Sequence, residues 1–193
     1  GGGKPLSVEV PRLSWADFLK GFKWKQGEHI TLLGTTGGGK TTLALELLPM
    51  RRHVIAFGTK KKDDTLDRLI KEFGYHKIKK WSDYAPSMEK VVLWPDMSDV
   101  HFKQRQYQEF YQCLADVYRA GGFCVFADEL QYICKDLRLA EPMEVLWRQG
   151  RSNNVSVIGT NQRPRFVPLQ AYTAPTHIFF WRETDRENVK RIS

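Results

Sequence analysis

Gly34-Thr35-Thr36-Gly37-Gly38-Gly39-Lys40-Thr41 decides the reading of this chain, because it fits the spacing G-x-x-x-x-G-K-[ST]. Ahead of it, His29-Ile30-Thr31-Leu32-Leu33 is a β-branched and aliphatic run of the kind that forms a buried strand. Behind it, Thr41-Thr42-Leu43-Ala44-Leu45-Glu46-Leu47-Leu48 reads as a helix. Strand, glycine loop and helix in that order make a cradle for phosphate. The glycines let successive backbone N–H groups turn inward on phosphate oxygens, and the helix adds the positive end of its dipole. Lys40 contributes a mobile positive charge, and the Thr41 hydroxyl is a ligand for Mg2+. The ligand this suits is a nucleoside triphosphate such as ATP, with Gly34, Thr35, Thr36, Gly37, Gly38, Gly39, Lys40, Thr41 and Thr42 as its contacts.

Working outward, Phe123-Cys124-Val125-Phe126-Ala127-Asp128-Glu129 is an apolar strand ending in two acids, the form of a Walker B element. Asp128 is placed to hold Mg2+ through its waters, and Glu129 to polarise the attacking water. Two acids at the end of a buried strand are expensive without a cationic partner, so a purely structural role is disfavoured. The strand Val155-Ser156-Val157-Ile158-Gly159-Thr160 ends in Asn161-Gln162-Arg163-Pro164. A polar amide at the tip of a strand beside the Walker B strand can touch both the water and the γ-phosphate, which makes Gln162 a candidate sensor. Arg148 and Arg151 lie just before that strand. Spacing leaves two readings open for them, a phosphate contact in a neighbouring subunit or a basic helix end complementing its own dipole.

The 193 residues suffice for one α/β core and are too few for two comfortable ones. A net charge of +8 with a pI near 9.4 points to an anionic partner, nucleic acid before a membrane surface, unless the charge only offsets nucleotide and solvates faces. Lys60-Lys61-Lys62 follows the strand His53-Val54-Ile55-Ala56-Phe57, on the side where α/β folds carry functional loops. It reads either as a solvated turn or as a phosphate-backbone contact, with Lys77, Lys79 and Lys80 a weaker second patch. Cys113, Cys124 and Cys134 are odd in number and show no metal-ligand spacing, so a reducing compartment and no structural zinc are expected. No apolar run reaches membrane-spanning length and no signal peptide is recognisable, so the expectation is a soluble cytoplasmic protein. Residues 1–4 read as an added remnant or flexible arm, ahead of a single domain over residues 5–193.

Elsewhere, Ser14-Trp15-Ala16-Asp17 has capping-box spacing for a helix closed by Gly21. Trp15, Phe18 and Phe22 either wall a nucleotide base or pack over the sheet edge. Leu66, Leu69, Ile70 and Phe73 mark a helix with Asp63 and Asp64 in its first turn. Tyr107, Phe110, Tyr111, Leu114, Val117 and Tyr118 mark another, read as a core stripe ahead of aromatics that stack bases. A helix spans Glu141 to Arg151, further strands cover Lys90 to Trp94 and Thr176 to Trp181, and a last helix opens at Thr184. Strands and helices alternate throughout, which predicts a mainly parallel sheet with helices on both faces.

Taken together, Gly34 to Thr41, Phe126-Ala127-Asp128-Glu129 and Gly150-Arg151-Ser152-Asn153-Asn154-Val155 through Thr160-Asn161-Gln162-Arg163-Pro164 resemble the FtsK/HerA superfamily of motor ATPases. That superfamily has an arginine before a small-residue turn and strand, then a Thr-Gln-Arg-Pro-like tip; here Asn161 stands between Thr160 and Gln162. The resemblance covers residues 27 to 192. It implies a RecA-like P-loop ATPase that works as a homo-oligomeric ring on double-stranded DNA, in a viral genome-packaging or mobile-element setting. It further implies that Gln162 senses γ-phosphate and that Arg151, or alternatively Arg148, acts as an arginine finger in trans. Loading or anchoring would fall to an accessory protein, in the cytoplasm of the cell or of a viral host. No ABC-type signature and no Asn-Lys-x-Asp base-reading motif is present, which counts against transporter ATPases and GTPases. A virion morphogenesis or secretion ATPase of the same fold is the alternative, and a slow nucleotide-gated scaffold a second one.

Overall fold

The strands of this chain are apolar on both sides, a pattern that only a sheet covered by helices on both faces accommodates. The computed structural model describes residues 12–35, 39–163 and 167–181. Its strands are β1 (Ile30–Leu33), β2 (His53–Phe57), β3 (His76–Ile78), β4 (Lys90–Leu93), β5 (Phe123–Ala127), β6 (Ser156–Asn161) and β7 (His177–Phe180). They form one sheet in the order β3-β4-β2-β5-β6-β1-β7, with every pairing parallel. The helices are α1 (Trp15–Gly21), α2 (Lys40–Leu47), α3 (Asp64–Phe73), α4 (Phe102–Ala120), α5 (Ala140–Asn153) and the short α6 (Gln170–Thr173). This is the expected α/β P-loop architecture, parallel throughout.

Strand alternation divides the core into two layers. Ile55, Phe57, Val91, Leu93, Val125 and Val157 cluster with Phe110, Leu114 and Val117 of α4 and with Met143, Leu146 and Trp147 of α5. Val54, Ala56, Val92, Phe126, Ile30 and Ile158 cluster with Leu43, Ala44 and Leu47 of α2 and with Leu66 and Leu69 of α3. Burial of each large apolar side chain contributes about 1.5–3 kcal/mol, so these layers fix where the strand ends, and the loops they carry, must sit.

Several details differ from the sequence reading. The buried stripe of α4 is Gln106, Phe110, Cys113, Leu114 and Val117, whereas Tyr107 and Tyr111 stack on each other at the surface. The apolar spacing of those tyrosines misled because a polar residue, Gln106, takes the inward position. Its amide reaches the Thr59 carbonyl at 3.2 Å and accepts from the Tyr132 hydroxyl at 2.6 Å. Edge strand β3 is three residues long with only Ile78 buried, too little pattern to read. Asp63 caps α3 rather than entering its first turn, its carboxylate accepting from the Leu66 N–H at 3.0 Å. Of the two readings for the N-terminal aromatics, edge packing is the one found: Phe18 and Phe22 both lie edge-on to Phe179 of β7 at 5.6 Å. All three cysteines are buried free thiols. The helix expected from Thr184 and the arm at residues 1–4 lie outside the described residues.

Candidate active site

A parallel sheet places all its strand C-termini on one rim, and the sequence puts its polar residues there. β1 hands over to Gly34, whose φ of 145° only glycine adopts easily, and Gly34 N–H donates to the Asn161 carbonyl at 3.2 Å. Gly39, at φ 95°, opens α2 with no side-chain cap, so the first N–H groups of that helix face the loop. Lys40 Nζ donates to the carbonyls of Gly34 and, at 3.1 Å, of Thr35. Thr36, Gly37 and Gly38 lie outside the described residues.

Across the rim, β5 ends in Asp128 and Glu129. The Thr160 hydroxyl donates to Asp128 Oδ1, and Glu129 N–H donates back to Thr160 Oγ1 at 3.2 Å. Glu129 sits at φ 61°, a conformation that costs a non-glycine residue about 1–3 kcal/mol. That turn aims its carboxylate at Gln162, whose Nε2 lies 3.4 Å from Oε1, and at Lys60, whose Nζ lies 3.5 Å from the same oxygen. Asn161 Oδ1 accepts from Gln131 N–H at 3.1 Å, fastening the segment after Glu129 to the end of β6. Neither Thr160 nor Asn161 was singled out from sequence as a site residue. Their one signal was polarity at the end of an otherwise apolar strand.

Lys60, expected from sequence as part of a phosphate-backbone contact, instead faces Glu129 in the cleft. The carbonyl of Lys60 accepts from Trp94 Nε1 at 2.8 Å, and Gln106 holds Thr59, so this loop is anchored over the rim. Burial alone would lower the Lys60 pKa, but the carboxylates of Glu129, Asp128 and Asp63 outweigh it and hold the pKa above the ordinary lysine value. Asp63 moves up in turn, first through burial and then through the Asp128 charge, with the Leu66 N–H opposing. Gly39, Lys40, Thr41, Thr42, Lys60, Lys62, Asp63, Asp64, Thr65, Asp128, Glu129 and Gln162 line one cleft of about 500 Å³.

Two expected groups lie elsewhere. Lys61 belongs to a separate shallow cleft of about 210 Å³ with Lys77, Lys79 and Trp94, Lys77 Nζ lying 4.3 Å above the Trp94 ring. Arg148 and Arg151 sit at the opposite end of the sheet, beside Gly27 and His29 ahead of β1. The four residues of β1 alone separate them from the glycine loop by roughly 13 Å. Arg148 pairs with Glu144 one turn back at 3.8 Å.

No protein-family model matches the sequence, and no curated protein matches it either. Solved structures do. The genome packaging NTPase B204 of Sulfolobus turreted icosahedral virus 2, in complex with AMPPCP, superposes with a TM-score of 0.61 at 16% identity, over 86% of this chain and 80% of that one. The cytoplasmic domain of the type VII secretion ATPase EccC from Thermomonospora curvata gives 0.58 at 15% identity, over 86% of this chain and 22% of that one. EssC ATPases 2 and 3 from Geobacillus thermodenitrificans give 0.57 at 12%, over 89% and 35%. What these ATPases share with this chain is the fold. In this sheet β6 lies between β1 and β5, which is what brings Gln162 between Lys40 and Glu129. The chain spans about a third or less of the EssC and EccC structures.

The cleft also suits Mg2+. Asp128 and Thr41 offer hard oxygen ligands, and the Thr160 hydroxyl orients the carboxylate. Among the described residues no cluster of three or more His, Cys, Asp or Glu could cage a metal.

Proposed function

We propose that this chain is an ATP-hydrolysing motor subunit that moves or packages DNA, working in a ring with its active sites completed between subunits. The observation that carries the hydrolytic part is the convergence of Lys40, Asp128, Glu129 and Gln162 in one cleft, with the Gln162 amide on the Glu129 carboxylate. Glu129 takes the proton of the attacking water, and Gln162 orients that water and reads the presence of γ-phosphate. Lys40 moves from its loop carbonyls onto the β/γ-phosphates. Mg2+ held by Thr41 and Asp128 would supply charge neutralisation on those phosphates.

The arginines support a site completed in trans. Arg151 and Arg148 lie a full strand length away from the cleft of their own chain, so any phosphate they reach belongs to a neighbour. The DNA reading rests on the +8 charge and on Lys61, Lys77 and Lys79, which come from separate stretches of sequence and gather on the rim beside the cleft. With Lys60 and Lys62 inside the cleft, Lys61 is the member of its triplet that belongs to the DNA contact. The fold is shared by the packaging NTPase B204 and by the secretion ATPases, so it is the basic cluster that favours this reading over protein export. An anchoring protein and a cytoplasmic setting, in a host if viral, complete the proposal.

Replacing Lys61, Lys77 and Lys79 together by Gln tests the DNA part. Duplex affinity should fall and its log–log salt slope should flatten by up to about three, while ATP turnover without DNA stays at the parent rate. Turnover that duplex DNA does not stimulate, with an unchanged salt slope in the variant, would move the chain to the export reading.

A further inference from the structure

Trp181 is the first residue beyond β7, and its backbone N–H continues the sheet ladder by donating to the Leu33 carbonyl at 2.8 Å. That bond places it directly beside the start of the glycine loop. A Cβ on Gly34 would lie 2.6 Å from Trp181 Cβ, and one on Gly39 would lie 3.1 Å from the indole Nε1. The indole therefore lies against both Gly34 and Gly39, which flank the loop. One part of it packs on the core layer that holds α2, and the rest is accessible.

The sheet order gives this ring a meaning. Apart from Lys40 on α2, the groups aimed at the terminal phosphate lie on the β6 side of β1: Gln162 after β6, Asp128 and Glu129 after β5. A nucleotide whose γ-phosphate points toward β6 must carry its ribose and base away from it, toward β7. The aromatics that the sequence offered for the base are engaged elsewhere, Phe18 and Phe22 against Phe179, and Phe22 also against His177 at 4.7 Å. Resting on the ATP reading above, we infer that Trp181 is the wall of the base subsite, stacking on the purine of the bound nucleotide. Stacking accepts any base with a π-face, so this wall adds affinity without selecting adenine.

Calorimetric titration of the full chain with ATP, GTP and inorganic tripolyphosphate tests this in the parent, Trp181→Phe and Trp181→Leu. Leucine fills the space against the loop glycines without offering a stacking face. Trp181→Leu should weaken ATP and GTP alike by roughly 5- to 100-fold while tripolyphosphate stays within about twofold, and Trp181→Phe should recover most of the loss. Equal weakening of all three ligands in Trp181→Leu would make Trp181 a mere prop for the loop and overturn the inference, as would no weakening at all. A parent that binds tripolyphosphate as tightly as ATP would sink the base subsite alone. A parent that binds neither would remove the nucleotide reading with it.

Discussion

Glu129 carries the most chemistry per residue, and its backbone bears the cost. At φ 61° it occupies a region that side chains other than Asn and Asp rarely adopt, and it is held by hydrogen bonds from its N–H to Thr160 and to its carboxylate from Gln162 and Lys60. Two substitutions separate chemistry from strain. Glu129→Gln should lower ATP turnover by about 10²–10⁴-fold with little change in unfolding free energy. Glu129→Gly should lose as much turnover yet gain about 1 kcal/mol of stability, because glycine adopts this φ without penalty. A glycine variant less stable than the glutamine one, in parallel urea titrations, would mean the turn is unstrained. Much of this site could be read from sequence: Lys40, Thr41, Asp128, Glu129 and Gln162 were named from spacing and strand ends, and they share one cleft. Thr160, Asn161, Lys60 in its contact with Glu129, and Trp181 were not. Each acts through a contact between segments distant in the chain, and nothing in local spacing records such a contact.

Helix–strand packing is where the element scale shows a titratable device. His29 precedes β1 and is buried between α5 and β6, its Nδ1 accepting from the Val157 N–H at 3.0 Å and its Nε2 bonding the Trp147 carbonyl at 3.0 Å. Burial drives its pKa down to about 4; the Trp147 carbonyl opposes this and the Arg151 charge reinforces it. The unfolded chain therefore binds this proton near pH 6.5 while the folded chain refuses it until about 4. Its contribution is complete above pH 6.5 and is lost as pH falls toward 4, to a total of about 3 kcal/mol. Asp63, with its raised pKa, works with the opposite sign, so the comparison has to be made against a variant. His29→Asn should be less stable than the parent at pH 7 and should show a flatter decline between pH 6.5 and 4 in denaturant midpoints. A decline equally steep in both would assign it to other groups. Element existence was legible from periodicity and caps, as in α1, where Asp17 N–H donates to Ser14 Oγ at 3.1 Å. The inward face of α4 was not, because Gln106 breaks the apolar rule that locates a buried stripe.

For the whole molecule, the sheet order organises function by distance. The catalytic cleft opens at the strand C-termini, while Arg148 and Arg151 lie at the other end of the same sheet. Alternating helices and strands announced a parallel sheet, but strand neighbours are set by packing far along the chain, so the separation of arginines from cleft emerged only in three dimensions. On the proposal of a site completed between subunits, a chain built this way has an incomplete site when alone. Among the described residues no helix is long and apolar enough to cross a membrane. The decisive measurement is steady-state ATP turnover per subunit against protein concentration, with duplex DNA, for the parent and for an equal mixture of Glu129→Gln and Arg151→Ala chains, each inactive alone. The account predicts a per-subunit rate that rises with concentration, and a mixture that regains part of the parent rate by pairing an intact Glu129 with a neighbour's intact Arg151. A rate independent of concentration, with a mixture as inactive as its components, would contradict a site completed between subunits.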